Sequence, residues 1–284
     1  MPRMSRRLLL CLALAAAAPA DERTDAGEAA LWFRRAVRAQ GEVELASVVD
    51  ARLRFSGQVR DEEGEHAVTR EYWYRSKDRS FRLVTRSRTL REELSERGVL
   101  GAEEYWDRGS DGAVGDLSPG NSSDRTAIET IDREREEFED VLRLVLLKRM
   151  DDGRSRFRPG APGPVRLEKD LPFSPGMILG KDRTQSYLVV DVEREGMGRL
   201  RLFLHAGDFT VRKAVLFSRD EPTREVGTYY FGRFEPRGGL LLPRVVSFHD
   251  LEPLDEASRD KGAKAYGEIE VTLNAGLKDA DLRP

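Results

Sequence analysis

The sequence has 284 residues, of which 39% are hydrophobic and 35% are charged, and its formal net charge is −3. This composition suits a soluble protein with one large domain or two small ones, and it excludes the basic surface of a nucleic-acid-binding protein. The single cysteine, Cys11, lies within the first twenty residues, so the rest of the chain has no disulfide or thiolate chemistry.

Residues 1–20 have the pattern of a secretory signal peptide. Basic residues at the start precede an apolar run over residues 8–18, and Ala18-Pro19-Ala20 fits the small-x-small cleavage pattern. The pattern predicts cleavage after Ala20 and a periplasmic or secreted protein. The alternative is an uncleaved N-terminal membrane anchor, for which the apolar run is short.

The stretch over residues 25–60 predicts a helix followed by a strand. Asp25 and Glu28 have the spacing of a capping box, and Gly41 is placed to end the helix. Residues 51–60 then alternate between apolar and mostly basic side chains, which is typical of a half-buried strand. We expect the helix to pack on the apolar face of a sheet that this strand begins.

Further strands are predicted over residues 67–75 and 80–88, and a short one at residues 105–106. Residues 89–98 are ambiguous between strand and helix, and residues 109–123 are rich in turn formers.

The second helix is predicted over residues 126–150. Thr126 and Glu129 have the spacing of a capping box, and the apolar side chains recur at helical spacing. Residues 141–147 are apolar nearly all round, which predicts burial on more than one side.

Residues 151–176 contain many prolines and glycines, which predicts a long surface loop. Strands follow at spacings typical of antiparallel neighbours, over residues 185–193, 199–205, 212–219, 225–234, 240–249 and 265–273.

Four segments in this order resemble the periplasmic lipoprotein-carrier superfamily, which contains the LolA/LolB-like carriers and the outer-membrane lipoprotein-sorting proteins. The segments are RAQGEVELASVVDARLRFSGQV, RSKDRSFRLVT, GTYYFGRFEPRGGLLLPRVVSFHD and GEIEVTLNAGLKDADLRP. The chain differs from the compact carriers in its additional residues 89–176.

This resemblance implies a mainly β (α+β) fold, in which a single curved antiparallel sheet forms an unclosed half-barrel with helices over its concave face. It implies one such domain over residues 21–284, a hydrophobic cavity for acyl chains, and no catalysis. No cofactor or metal is implied. The implied partners are a lipid or an acylated protein, another envelope protein, and a membrane surface in peripheral contact.

The alternating apolar positions of the strands predict which residues line the concave face. These candidate ligand-binding residues are Leu53, Phe55, Val59, Tyr72, Tyr74, Phe81, Leu83, Leu188, Val190, Leu202, Leu204, Tyr229 and Phe231. The alternative is that all of them are ordinary core residues beneath the two helices. Acyl chains bind through buried apolar area and need no special residue, so the sequence leaves both readings open.

Motifs for other chemistry are missing from the sequence. His66, His205 and His249 are not at zinc-ligand spacing, and neither a G-x-S-x-G nor a phosphate-loop motif occurs. Trp73 points away from Tyr72 and Tyr74, so it is either covered by another element, such as the loop of residues 151–176, or exposed to a partner or a membrane.

The sequence thus predicts an exported, non-enzymatic protein that holds a lipid or a lipoprotein acyl chain. The alternative from another class is an envelope protein-interaction or sensor module with the same fold. A hydrolase is a third, less favoured hypothesis.

Overall fold

The computed structural model describes eleven segments of the chain. They are residues 20–41, 48–61, 64–88, 92–101, 103–108, 112–151, 153–161, 164–166, 186–194, 198–250 and 264–284. The predicted signal peptide therefore lies outside the described residues, except for Ala20.

Two long helices and fourteen strands make up the described chain. Helix α1 spans Ala20–Gln40 and helix α2 spans Arg125–Val145. The strands are β1 (Asp50–Asp61), β2 (Gly64–Arg75), β3 (Ser80–Arg88), β4 (Glu92–Leu100), β5 (Glu104–Arg108), β6 (Val114–Leu117), β7 (Arg156–Pro159), β8 (Val165–Arg166), β9 (Ser186–Glu193), β10 (Leu200–His205), β11 (Val211–Phe217), β12 (Glu225–Arg237), β13 (Leu240–Asp250) and β14 (Lys264–Leu273). Within the described residues, neither helix has the length and apolar character needed to cross a membrane.

All fourteen strands belong to one antiparallel sheet. Its order is β6-β5-β4-β3-β2-β1-β14-β13-β12-β11-β10-β9-β7, and β8 pairs with β9 next to β7. Across the described chain the first and last of these strands do not pair with each other, so the sheet is not closed. The predicted mainly β fold, with an unclosed antiparallel sheet, is confirmed.

Side chains from distant strands lie near each other, which shows that the sheet is strongly curved. Tyr72 of β2 and Tyr229 of β12 are separated by three strands, a distance of about 19 Å in a flat sheet. The two side chains nevertheless interact electrostatically, and Glu137 of α2 interacts with both. Strands from the whole width of the sheet also contribute to one hydrophobic cluster with both helices. The sheet therefore wraps around the helices, which lie on its concave face.

Two glycines face each other where β1 pairs with β14. Gly57 is in register with Gly267, and a Cβ on Gly57 would lie 2.0 Å from the carbonyl oxygen of Tyr266 and 2.7 Å from the Cα of Gly267. No residue with a side chain fits at this distance, so the glycine pair permits a close approach of the two backbones near the middle of the sheet.

The strand predictions are confirmed for most of the chain. The strand predicted over residues 80–88 is β3, and the ambiguous residues 89–98 contribute to β4. Two segments differ from the prediction, because residues 109–123 contain β6 and residues 151–176 contain β7 and β8. Strand β7 has only four residues, which is too short for its alternation to be recognised among prolines and glycines. The last part of the predicted loop, residues 167–176, lies outside the described residues.

The first helix begins earlier than predicted and ends where predicted. It begins at Ala20, so Asp25 lies within the helix and the predicted capping box is wrong. At the other end, the N–H of Gly41 donates to the carbonyl of Val37, and Gly41 adopts a φ of +109°. This left-handed conformation is the one that glycine accommodates at a helix end.

The second helix has a different N-terminus from the predicted one. Its N-cap residue is Asp124, whose side chain makes no capping hydrogen bond, so the capping box of Thr126 and Glu129 is wrong. The helix ends at Val145, and a short 3₁₀ helix over Leu147–Met150 follows. The predicted burial on several sides is confirmed, because residues 144–147 are all buried.

Gln40 joins the ends of the two helices. Its side-chain amide donates to the carbonyl of Val145 at 2.6 Å, and its side-chain oxygen accepts from the N–H of Leu147 at 2.8 Å. Gln40 is only 8% exposed, so its removal leaves two polar backbone groups without a partner in the protein interior.

We therefore expect Gln40→Ala to lower the free energy of unfolding by about 2–3 kcal/mol, as measured by urea unfolding. Arg38→Ala, a change to an exposed residue of the same helical turn, is the control and is expected to have an effect below about 0.5 kcal/mol. Equal effects of the two changes would contradict a special role of the Gln40 amide.

Trp73 lies half-buried on the convex face, between arginine side chains of the two neighbouring strands. Its ring is flanked by the guanidinium groups of Arg52 and Arg82, which lie 5.1 Å and 5.0 Å from the ring centroid. Arg52 is the cross-strand partner of Trp73 in β1, and Arg82 is its partner in β3. Within the described residues, the cover of Trp73 therefore comes from neighbouring strands, whereas much of the loop over residues 151–176 lies outside the described residues.

The chain after β14 is anchored to the sheet by buried Asp50. The carboxylate of Asp50 accepts hydrogen bonds from the backbone N–H groups of Ala275, Gly276 and Leu277 at 2.6, 3.1 and 3.1 Å. Asp50 is buried, and it therefore obtains from the backbone the hydrogen bonds that a buried carboxylate requires.

The turn between β2 and β3 holds a carboxylate that is sensitive to acid. Asp78 accepts from the guanidinium of Arg75 at 2.6 Å and from the N–H of Ser80 at 3.3 Å. Burial opposes ionisation of Asp78, but the hydrogen bonds from Arg75 and Ser80 outweigh it and lower the pKa of this carboxyl to about 2.

Because the folded-state pKa is lower than the ordinary value of 3.8, the ionised Asp78 stabilises the fold above that value. This contribution is lost as the pH falls from about 4 to about 2. Urea unfolding of the wild type and of Asp78→Asn between pH 2 and pH 6 measures it. We expect the difference in unfolding free energy to be constant above pH 5 and to shrink below pH 4. A difference independent of pH would contradict the assignment.

Candidate ligand-binding surface

The predicted lining residues lie on one face of the sheet, as the register of the strands shows. Leu53 is opposite Tyr72, and Tyr72 is opposite Leu83. In the other half of the strand order, Leu202 of β10 is opposite Val190 of β9. Twelve of the thirteen predicted residues belong to, or pack against, the main hydrophobic cluster, which contains both helices. Val59, the remaining one, is buried but is not part of this cluster.

The helices fill the part of the concave face that they cover. Phe138 of α2 packs its ring against Tyr72, Tyr74 and Phe81, with ring centroids 5.1, 5.7 and 6.0 Å apart. Phe33 of α1 is fully buried and stacks on Phe157 of β7 at 4.5 Å. Here the predicted lining residues have the contacts of ordinary core residues.

A small cavity remains between the end of α1 and the sheet. Its volume is about 10 Å³, and it is lined by Ala36, Gln40, Leu144, Leu147, Thr210, Val211, Phe231, Phe234, Leu241 and Pro243. This space holds about one water molecule at most and is far too small for an acyl chain.

Beside α2, around its residue Glu137, the concave face carries a set of partly exposed side chains, which we call the open-end cluster. It consists of Arg70, Tyr72, Glu137, Tyr229 and Phe248. The three aromatic side chains are half-buried, and Arg70 and Glu137 are exposed. Tyr229 stacks on Phe248 at 4.5 Å, and Arg70 interacts electrostatically with Tyr72, Tyr229 and Glu137. The cluster therefore combines an aromatic surface with one guanidinium group.

The electrostatics of this region follow from partial removal from water. Burial raises the pKa of Tyr229, and the negative charges of Glu137 and Asp140 add to this increase. Burial also raises the pKa of Tyr72, against the opposing effect of the Arg70 guanidinium. Both hydroxyls are therefore neutral at physiological pH and available as hydrogen-bond donors.

Polar contacts hold α2 across the opening of the half-barrel. On one side, Glu139 accepts from the hydroxyl of Tyr74 at 2.9 Å and from the guanidinium of Arg79 at 3.0 and 3.1 Å. On the other side, Arg219, which follows β11, donates to Glu136 at 3.3 Å. These contacts lie at the margins of α2, whereas Phe138 occupies the centre of the concave face.

Two further carboxylates of α2 lie at the same opening. Burial raises the pKa of Glu134, against the opposing charges of Arg97 and Arg70. Burial likewise raises the pKa of Asp140, against the opposing charge of Arg143. Among the described residues, no group of three or more histidine, cysteine, aspartate or glutamate side chains is placed to hold a metal ion.

The sequence did not reveal Arg70, Glu137 or Phe248 as part of this surface. Arg70, Tyr72 and Tyr74 are spaced two residues apart in β2, so their side chains lie on the same face of the strand. The position of Arg70 on the concave face therefore follows from the alternation of that strand. The alternation could therefore have identified Arg70, but the predicted lining contains only apolar and aromatic side chains. Glu137 and Phe248 join the cluster only through the curvature of the sheet and the position of α2.

No protein-family model matches this sequence, and no curated protein matches it. Among solved structures, the fold is similar to that of a LolA superfamily protein from Nitrosomonas europaea, with 10% identity, coverage of 90% of this chain and 97% of that one, and a TM-score of 0.48. It is also similar to a DUF1329 family protein from Desulfovibrio piger, with 12% identity, coverage of 90% and 97%, and a TM-score of 0.48. An outer-membrane lipoprotein-sorting protein domain from Vibrio parahaemolyticus has 11% identity, coverage of 91% and 97%, and a TM-score of 0.46.

Proposed function

We propose that this protein is a non-enzymatic binding protein that holds a lipid or a lipoprotein acyl chain on its concave face. The observation that carries the proposal is the open-end cluster, in which three aromatic side chains of the concave face remain half-buried. Partly exposed apolar groups in a concave site are typical of a binding surface.

The chemistry of the cluster suits an acyl group. The rings of Tyr72, Tyr229 and Phe248 offer apolar area, which binds a hydrocarbon chain at about 25 cal/mol per Å². Arg70 and the tyrosine hydroxyls offer donors to the carbonyl oxygen of an ester or amide. A chain longer than the open end reaches the region that Phe138 fills, so its binding requires a displacement of α2.

Titration with a fluorescent sixteen-carbon fatty-acyl probe, followed by displacement with lysophospholipid, tests the proposal. Leu53 is unsuitable for substitution because it is buried beneath the helices. Arg70→Glu reverses a charge within the open-end cluster, and Arg54→Glu makes the same change on the convex face, where Arg54 is exposed.

We expect saturable binding to the wild type, weakened about ten-fold by Arg70→Glu and unchanged by Arg54→Glu. Circular dichroism confirms that both variants are folded. Equal weakening by the two variants would show that the concave face is not the site. The acyl-carrier function is excluded if the wild type shows no saturable binding.

The filled region beneath the helices favours a second candidate, an envelope protein-interaction or sensor module. The cavity of about 10 Å³ leaves no space for an acyl chain there. A wild type that binds no acyl probe is the result expected of such a module.

We further propose that the chain is exported, with cleavage after Ala20, and that residues 21–284 form one half-barrel domain. The pattern of residues 1–20 supports export. The presence of β1 and β14 side by side, from opposite ends of the chain, supports a single domain. N-terminal sequencing of the purified protein checks the cleavage, and limited proteolysis followed by gel filtration checks the domain.

A further inference from the structure

A second surface with the features of a binding site lies on the convex side, at the β6 edge of the sheet. A pocket of about 320 Å³ opens there, lined by Glu104, Tyr105, Trp106, Val114, Asp116, Leu117, Arg283 and Pro284. This volume is at the lower end of the range typical of ligand sites. The pocket lies on the opposite face of the sheet from the open-end cluster, which belongs to the concave face.

The strand register explains how the convex side of the pocket is built. Trp106 of β5 is opposite Asp116 of β6 and opposite Gly98 of β4. The side chains of Trp106 and Asp116 therefore lie in one row on the convex face. Trp106 is only 3% exposed, so its indole ring belongs to the floor of the pocket, whereas Asp116 is exposed at the rim.

The side chains that line the pocket include two carboxylates but one guanidinium group. Glu104 is neutralised by an ion pair with Arg283. Among the described residues, Asp116 has no salt-bridge partner. Of the two side-chain carboxylates among the described pocket residues, Asp116 is therefore the uncompensated one, and it lies beside an indole ring, an arrangement that favours a cation on an apolar stem.

The edge of the sheet is the second feature of this surface. Strand β6 pairs with β5 on one side, and no strand of the described chain pairs with its other side. Val114, in the same strand, is 46% exposed and lines the pocket. An open sheet edge next to a side-chain pocket is the arrangement by which proteins bind extended peptides.

We propose that β6 is a docking edge for an extended, basic segment of a partner polypeptide. The segment adds to the sheet as a strand, and a lysine or arginine of that segment enters the pocket beside Asp116, with its apolar stem against Trp106 and Val114. In this position its charge is opposite the Asp116 carboxylate, a favourable cross-strand pair.

The negative charge of Asp116 favours a basic segment over a second copy of the chain as the occupant of this edge. Two copies joined through β6 would bring two Asp116 carboxylates to the same face without a cation between them. Such pairs of like charge destabilise a strand pairing. A basic segment supplies a cation opposite Asp116.

Fluorescence anisotropy with labelled nine-residue peptides tests the proposal on the full chain. The first peptide alternates lysine and valine, and the second has glutamate in place of lysine. The third has the lysines but carries proline in place of each valine, so that it loses every second backbone N–H group and favours the polyproline II conformation over a paired strand. The protein variants are Asp116→Lys and, as a control with the same change of charge, Glu103→Lys, which alters an exposed residue outside the pocket.

We expect saturable binding of the lysine–valine peptide only. Asp116→Lys is expected to weaken it at least about ten-fold, because like charges then face each other, and Glu103→Lys to leave it within about two-fold. The proposal is overturned if the wild type binds no peptide, or if the proline peptide binds as well as the first. It is also overturned if both variants weaken binding equally, or if lysine amide alone displaces the peptide completely. Since the acyl probe reports on the opposite face, failure of one proposal leaves the other intact.

Discussion

Replacing Phe33 by alanine is expected to lower the free energy of unfolding by about 3–5 kcal/mol. Phe33 is fully buried, and its ring stacks on Phe157 of the edge strand β7 at 4.5 Å. The substitution removes the aromatic contact and leaves a cavity that the rigid sheet cannot close. Because β7 packs on α1 through this contact, the edge strand is expected to lose protection from hydrogen exchange as well.

Leu31→Ala is the matched control for this prediction. Leu31 belongs to the same helix and is 43% exposed, so its truncation changes helix propensity but empties no core site. We expect its effect to be below about 1 kcal/mol. Urea unfolding of the three proteins measures both changes. An effect of Phe33→Ala as small as that of Leu31→Ala would mean that α1 does not pack in the half-barrel as described.

Replacing Gly57 by alanine is expected to destabilise the protein by about 3 kcal/mol or more. The added Cβ would lie 2.0 Å from the carbonyl oxygen of Tyr266 and 2.8 Å from the ring of Phe55. The first neighbour is backbone of a paired strand, so it cannot move without breaking the β1–β14 pairing. That pairing joins the two ends of the chain in the middle of the sheet.

Gly232→Ala is the control, because Gly232 is also a strand glycine and its Cβ would meet no atom within 4 Å. Thermal denaturation of both variants is the measurement. We expect a large fall of the midpoint for Gly57→Ala and little change for Gly232→Ala. A tolerated Gly57→Ala would show that the two backbones are not in close approach at this point.

The open-end cluster shows the limit of predicting a site from an alternating pattern. The alternation placed Tyr72 and Tyr229 on the apolar face of their strands, and the structure has both there. It contains no information on how far apart β2 and β12 lie, because that distance depends on the curvature of the whole sheet. The contribution of Glu137 from α2 depends in addition on where the helix crosses the opening.

The sequence alone determined the order and type of most elements and the face on which each strand side chain lies. It did so because side-chain direction in a strand depends only on local alternation, and because Gly41 ends a helix through its own backbone freedom. The tertiary structure decided what the sequence left open, namely the short strands β6 and β7, the arginine cover of Trp73, and the packing of Phe138 in the concave face. Each of these depends on contacts between segments far apart in the chain, which no local pattern specifies.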